Sequence, residues 1–123
     1  LRAETARPRD RAAMVPPEWR PTHVVNASRA HRIGPRPITL GSAVPGDRRA
    51  LTVEAGPGVS RSHCTFLAEA GSAWLEDHST YGTFVNGDRI AGRVELRAGD
   101  RVRVGSPGVE CELVRVVDDD GAP

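Results

Sequence analysis

The chain has no lysine: all 17 basic residues among its 123 are arginine. That bias points first to a GC-rich bacterial coding sequence and only second to selection for phosphate contacts. No apolar run approaches the roughly 20 residues needed to cross a bilayer. The first residues alternate charge with alanine and lack the apolar centre of a signal peptide, so the cytoplasm is the expected compartment. There are only two cysteines, Cys64 and Cys111, with no CxxC pair and no cluster of nearby ligands. Metal binding is therefore not expected, and no cofactor is implied. Both cysteines fall in strand-like runs and read as free thiols in the core of a reducing-compartment protein. Also missing is any window of a dozen residues with an apolar stripe at helical spacing. Helix should be minimal.

What is present is turn chemistry and alternation. Ten prolines and 13 glycines punctuate the chain. Residues 1–36 hold eight arginines against three carboxylates, while residues 37–123 hold nine arginines against 13 acids. The N-terminal arm is thus basic and the rest acidic. The basic arm contains a single aromatic, Trp19, and "VPPEWRP" disfavours helix. Residues 1–21 therefore read as a flexible Arg/Pro-rich lead-in and not as a nucleic-acid-binding arm. From Thr22 onward short β-like runs follow one another: "THVVNA", "RPITLG", "ALTVEA", "HCTFLAEA", "AWLEDH", "GTFVNG", "RIAGRVEL", "DRVRVG" and "VECELVRVV". In "DRVRVG", Val102 and Val104 point one way and Arg101 and Arg103 the other. In "VECELVRVV", Val109, Cys111 and Leu113 share a face. Period two with turns every 8–12 residues predicts an all-β antiparallel sandwich or barrel. The length allows one domain, expected over residues 22–117 as a monomer, with residues 118–123 an acidic tail.

The chemistry sits in the turns. "GVSRSH" at residues 58–63 places a hydroxyl, a guanidinium and an imidazole on the lip of a strand. A hydroxyl beside an arginine suits a phosphate, whereas serine near histidine raises the question of a nucleophile. "EDHSTYGTFVNG" follows at residues 76–87 and "LRAGDRVRVG" at residues 96–105. Each piece alone marks only a turn. In this order and spacing they resemble the forkhead-associated (FHA) domain, over about residues 36–117. Its pattern runs Gly-Arg, Ser-Arg-x-His, Asp-x-Ser-x-Asn-Gly-Thr-x-x-Asn-Gly, then Leu-x-x-Gly-Asp.

The resemblance implies a sandwich of two twisted antiparallel sheets, about eleven short strands, with binding loops at one end. It further implies a protein-interaction module that reads phosphothreonine in a partner protein or peptide, such as the substrate of a Ser/Thr kinase. On that pattern Ser60, Arg61 and Thr80 would meet the phosphate. Gly41 would be structural, as would His63 tying two loops together, Gly82 in its turn and Asn86 bonded within its hairpin. Two positions depart from it. Ser42 stands where the family has its phosphate-gripping arginine, and Tyr81 where it has asparagine. Lost charge at Ser42 implies weak binding, unless Arg48 or Arg49 swings in from the same loop or Tyr81 lends its hydroxyl. The alternative is a degenerate domain that binds a partner without phosphate or acts as a scaffold. Catalysis is not expected, because no carboxylate is placed to orient the histidine and no nucleophile elbow is present.

Overall fold

A computed structural model describes residues 15–105 and 108–117 of the chain. Among the described residues a 3-10 turn, Pro17–Trp19, precedes eleven strands. They are β1 (His23–Asn26), β2 (Arg29–Arg32), β3 (Ile38–Gly41), β4 (Arg49–Thr52), β5 (Cys64–Glu69), β6 (Ser72–Asp77), β7 (Thr83–Val85), β8 (Asp88–Arg89), β9 (Arg93–Glu95), β10 (Arg101–Val104) and β11 (Val109–Val114). They form a six-stranded sheet in the order β2-β1-β11-β10-β7-β8 and a five-stranded sheet in the order β4-β3-β5-β6-β9. All-β class, two sheets and eleven strands agree with the sequence expectation.

Alternation explains why these runs became strands. Val102 and Val104 are buried in β10, as are Cys111 and Leu113 in β11, while Glu110 and Glu112 face solvent. Between the sheets lie Val24, Ile38, Leu40, Phe66, Leu75, Val85 and Leu96, each 0–1% exposed. Each such side chain contributes about 1.5–3 kcal/mol by leaving water, so this core holds the sandwich together. Cys64 and Cys111 are free thiols in it. Burial pushes both thiols up, Cys111 to about 11, so neither is a thiolate at neutral pH.

Three features differ from the sequence reading. The pairing of β3 with β4 is parallel, Ile38 opposite Arg49 and Gly41 opposite Thr52, although an antiparallel sheet was expected. Residues 42–48 run back along the sheet to make it so. Strand β2 was not foreseen, because "RAHR" is exposed at three of four positions and offers no apolar alternation. Its hairpin turn uses Ala27 and Ser28 at φ 50° and 67°, where the preferred residues are Asn and Gly. Lastly, the domain starts before Thr22. Val15 is 4% exposed and its N–H reaches Glu95 Oε2 at 3.1 Å, the carbonyl of Trp19 accepts from Ala98 N–H at 2.7 Å, and Arg115 donates to the carbonyl of Arg20 at 3.1 Å. Residues 15–21 are therefore packed on the sandwich and are not a free lead-in. Residues 1–14 and the acidic tail at 118–123 lie outside the described residues.

Candidate functional site

The end of the sandwich where β3 stops and β5 and β7 begin gathers most of the residues singled out from sequence. Gly41 closes β3 against the Ser60–Arg61 segment. Backbone bonds run from Ser42 N–H to the Ser60 carbonyl (3.2 Å) and from Ala43 N–H to the Arg61 carbonyl (3.1 Å). A methyl group on Gly41 would sit 1.8 Å from the Arg61 carbonyl oxygen, so only glycine allows this approach.

Beneath the loop lies His63, fully buried. Its Nδ1 accepts the Ser60 N–H at 3.0 Å and its Nε2–H donates to the Gly82 carbonyl at 2.8 Å. One ring thus fastens the Ser60 loop to the 77–83 loop, and the Ser60 N–H fixes which nitrogen carries the proton. The Ser60 hydroxyl does not bond the imidazole. Instead it accepts the Thr80 N–H at 3.3 Å, which joins the two hydroxyl-bearing loops at their tips. No serine–histidine nucleophile pair exists here.

The 77–83 loop is organised by a carboxylate whose role the sequence reading passed over. Asp77 Oδ1 accepts from Ser79 N–H (3.0 Å), Ser79 Oγ–H (2.6 Å) and Thr83 Oγ1–H (2.8 Å), while Ser79 Oγ in turn accepts the Gly82 N–H at 2.7 Å. Burial opposes the charged carboxylate, but the bonds from Ser79 and Thr83 outweigh it, with a smaller pull from His63. The Asp77 carboxyl is held below the usual aspartate range. The signal was present in the spacing of Asp77 and Ser79, which is that of an Asx-type turn.

On the surface of this scaffold stand Ser60, partly exposed, and Arg61, Thr80 and Tyr81, exposed. Tyr81 is 66% exposed and borders a groove of about 600 Å³ with Pro57, Gly58, Gly82, Phe84 and Arg103. The Arg103 guanidinium lies 4.8 Å from the Phe84 ring centre. Arg89, cross-strand from Phe84, packs against Gly82, whose φ of +103° and missing Cβ leave room for it. Neither Arg89 nor Arg103 was singled out from sequence, because only strand pairing brings them to this end.

Two residues considered for this end lie by β4, and a third bonds to other partners than expected. Arg48 and Arg49 lie at the start of β4, and the parallel register puts Arg49 opposite Ile38, three residues along β3 from Gly41. That is about 10 Å from the loop. Arg49 is moreover held by the carbonyls of Arg32 (2.7 Å) and Arg36 (3.4 Å). In this arrangement Arg49 is turned to those carbonyls and stands toward the far end of β3 from Ser42. Asn86 does not bond within its own hairpin. At φ 51°, it donates to Asp100 Oδ1 (2.8 Å) and accepts from Arg101 N–H (2.9 Å), latching the β7–β8 turn to the start of β10. Among the described residues, no three metal-ligating side chains come together and no helix is long and apolar enough to cross a membrane.

The fold is shared with known proteins. Solved structures that match include the FHA domain of FhaA complexed with the intracellular domain of Rv3910. The two share 24% identity at a TM-score of 0.57, over 73% of this chain and 96% of that one. An FHA domain of an Arabidopsis thaliana hypothetical protein matches at 22% identity and TM-score 0.65, over 80% and 88%. The MEK1 FHA domain bound to a HOP1 phosphothreonine peptide matches at 19% identity and TM-score 0.63, over 80% and 99%. No curated protein matches the sequence. The family model of the FHA domain matches residues 38–105, more than half of the chain, and the chain belongs to the FHA family.

Proposed function

We propose that the domain is a protein-interaction module that binds phosphothreonine-containing peptides through the loops carrying Ser60, Arg61, Thr80 and Tyr81. The observation that carries this reading is the bond from Thr80 N–H to Ser60 Oγ. It orients one hydroxyl beside a second and next to an exposed guanidinium, on a loop pair held from below by His63. Hydroxyl, guanidinium and loop N–H groups at one edge are donors suited to a phosphate. The groove beside Tyr81 would receive the extended remainder of the peptide.

Binding is weak on this reading, on the order of tens to hundreds of micromolar, because Ser42 supplies no guanidinium. One charge-assisted bond contributes about 1.5–3 kcal/mol. The partner is a phosphorylated protein, such as the product of a Ser/Thr kinase, and the domain acts as a monomer. We assign it no catalytic role. Two buried thiols suit the reducing cytoplasm.

Titration calorimetry with matched phosphorylated and unphosphorylated peptide libraries tests the proposal. Measurable affinity is expected only for the phosphorylated form, with Arg61→Ala costing about 1–2 kcal/mol. Equal affinity for both forms would leave the second reading, a degenerate FHA domain whose loops bind a partner without phosphate. The serine at position 42 favours that second reading.

A further inference from the structure

A second charged surface lies on the outer face of the five-stranded sheet, away from the Ser60 loop. Arg36, Arg48 and Arg49 surround a groove of about 390 Å³, with Thr39 and Thr65 on its floor and Asp47 at its rim. The floor hydroxyls are bonded to each other at 3.2 Å, and Thr65 Oγ1 also contacts His78 Nε2 at 3.0 Å. Arg49 is fixed by the carbonyls of Arg32 and Arg36, so one positive charge is immobilised at the groove's edge. Arg36 and Arg48 are exposed, and among the described residues neither guanidinium has a carboxylate within salt-bridge distance. On the neighbouring edge strand β2, burial and then the charges of Arg29 and Arg49 lower the pKa of His31.

We infer that this groove docks an acidic extended polypeptide segment of a partner protein, its carboxylates meeting Arg36 and Arg48. Charge complementarity sets the sign of the ligand. Its class follows from two features. Neither the floor nor the rim carries an aromatic ring on which bases would stack. Asp47 would also repel a continuous phosphate backbone. In an extended peptide, side chains on one face recur about every 6.6 Å, so carboxylates alternating with neutral residues can meet the arginines and pass Asp47.

The test uses the whole 123-residue chain, isotope-labelled, titrated with an unphosphorylated peptide alternating Glu and Ser. The controls are the matched Gln–Ser peptide and a single-stranded oligonucleotide of equal charge. Amide shifts are expected at Arg36, Asp47, Arg48 and Thr65 with the Glu peptide alone. Affinity should fall at least fivefold in the exposed, fold-neutral Arg36→Gln/Arg48→Gln variant. It should also fall severalfold between low and physiological salt. Equal shifts with the Gln peptide, mapping to the Ser60 loop, or unchanged affinity in the double variant would overturn the proposal. Tighter binding of the oligonucleotide in the groove would make the partner a nucleic acid. Tighter peptide binding after Asp118, Asp119 and Asp120 are changed to Asn would make the chain's own tail the occupant. Either result overturns the proposal as well.

Discussion

The loop end of this domain is built in two layers that obey different rules. In the lower layer His63, Asp77, Ser79, Thr83 and Gly82 are buried or half-buried, and nearly every polar atom there has a named partner. In the upper layer Arg61, Thr80 and Tyr81 are exposed, and the one side-chain bond among the described contacts there is the Thr80 N–H to Ser60 Oγ. A change below breaks several bonds at once, whereas a change above alters only what the loops can hold. The bonds that hold the two loops together therefore sit mainly in the lower layer, while Ser42 and Tyr81 stand in the upper one.

The largest effect should come from the lower layer. Asp77→Ala removes the acceptor of three hydrogen bonds, and with it the order of the 77–83 loop. A loss of about 3 kcal/mol is expected in urea unfolding, against less than about 0.5 kcal/mol for Arg61→Ala or Thr80→Ala. Acid should act through the same group. Because the folded-state pKa of Asp77 is depressed, its contribution is present above the unfolded value of about 3.9 and is lost as pH falls through the lower folded value. Below about pH 4 the parent protein should lose stability more steeply than Asp77→Asn does. Equal slopes would show that the carboxylate's charge does not support the loop.

Gly41→Ala probes the seam between the layers. The added methyl meets backbone and not a flexible side chain, so β3 and the Ser60 segment must part. About 2–3 kcal/mol of destabilisation is expected, together with loss of whatever affinity the loops have for a phosphopeptide. An unfolding curve and a peptide titration on the same variant check both.

Much of this arrangement was readable in the sequence, and the failures have physical causes. Runs such as "DRVRVG" and "VECELVRVV" declared themselves because one face is buried and the other wet. Strand β2 did not, because an edge strand lying mostly in solvent needs no alternation. The Ser60 loop and the 77–83 loop could be paired through the family pattern. Arg48 and Arg49 were considered as arginines that could swing in from the loop after Gly41; a linear reading gives no strand register, and the parallel pairing carries them to the opposite end of β3. Arg89 and Arg103 reach the loop end only through pairing with Phe84. A linear reading cannot see cross-strand partners. The start of the domain was set too late for a similar reason: Val15 and Trp19 are held by Glu95 and Ala98, some 80 residues away.

That last correction leads to a smaller effect, outside the loops altogether. A chain beginning at Thr22 loses the buried Val15 and the backbone bonds of Trp19 and Arg20, whereas one beginning at Val15 keeps them. The shorter chain should be less stable by about 2 kcal/mol, with peptide affinity within about twofold of the longer one, because these contacts lie on β9, the residue just after β11 and the loop before β10. Identical melting temperatures would mean that residues 15–21 pack without contributing.

The smallest change is confined to the upper layer and bears most directly on function. The Ser42 backbone is already tied to Ser60, so a side chain at this position projects from the same seam that presents the Ser60 hydroxyl and Arg61. Ser42 is itself partly exposed, leaving a longer residue free to extend without displacing the core. Ser42→Arg would place a guanidinium with bidentate geometry beside donors that are already positioned, and should tighten phosphothreonine-peptide binding by about 1–2 kcal/mol, roughly tenfold. Stability should move by less than about 0.5 kcal/mol. Arg48→Ala, about 10 Å along the strand, should leave that affinity unchanged. If the arginine is accepted structurally yet the phosphorylated and unphosphorylated peptides still bind alike, the upper layer has lost more than one charge. The departure at Tyr81 would then have closed the phosphate site on a scaffold that remains intact.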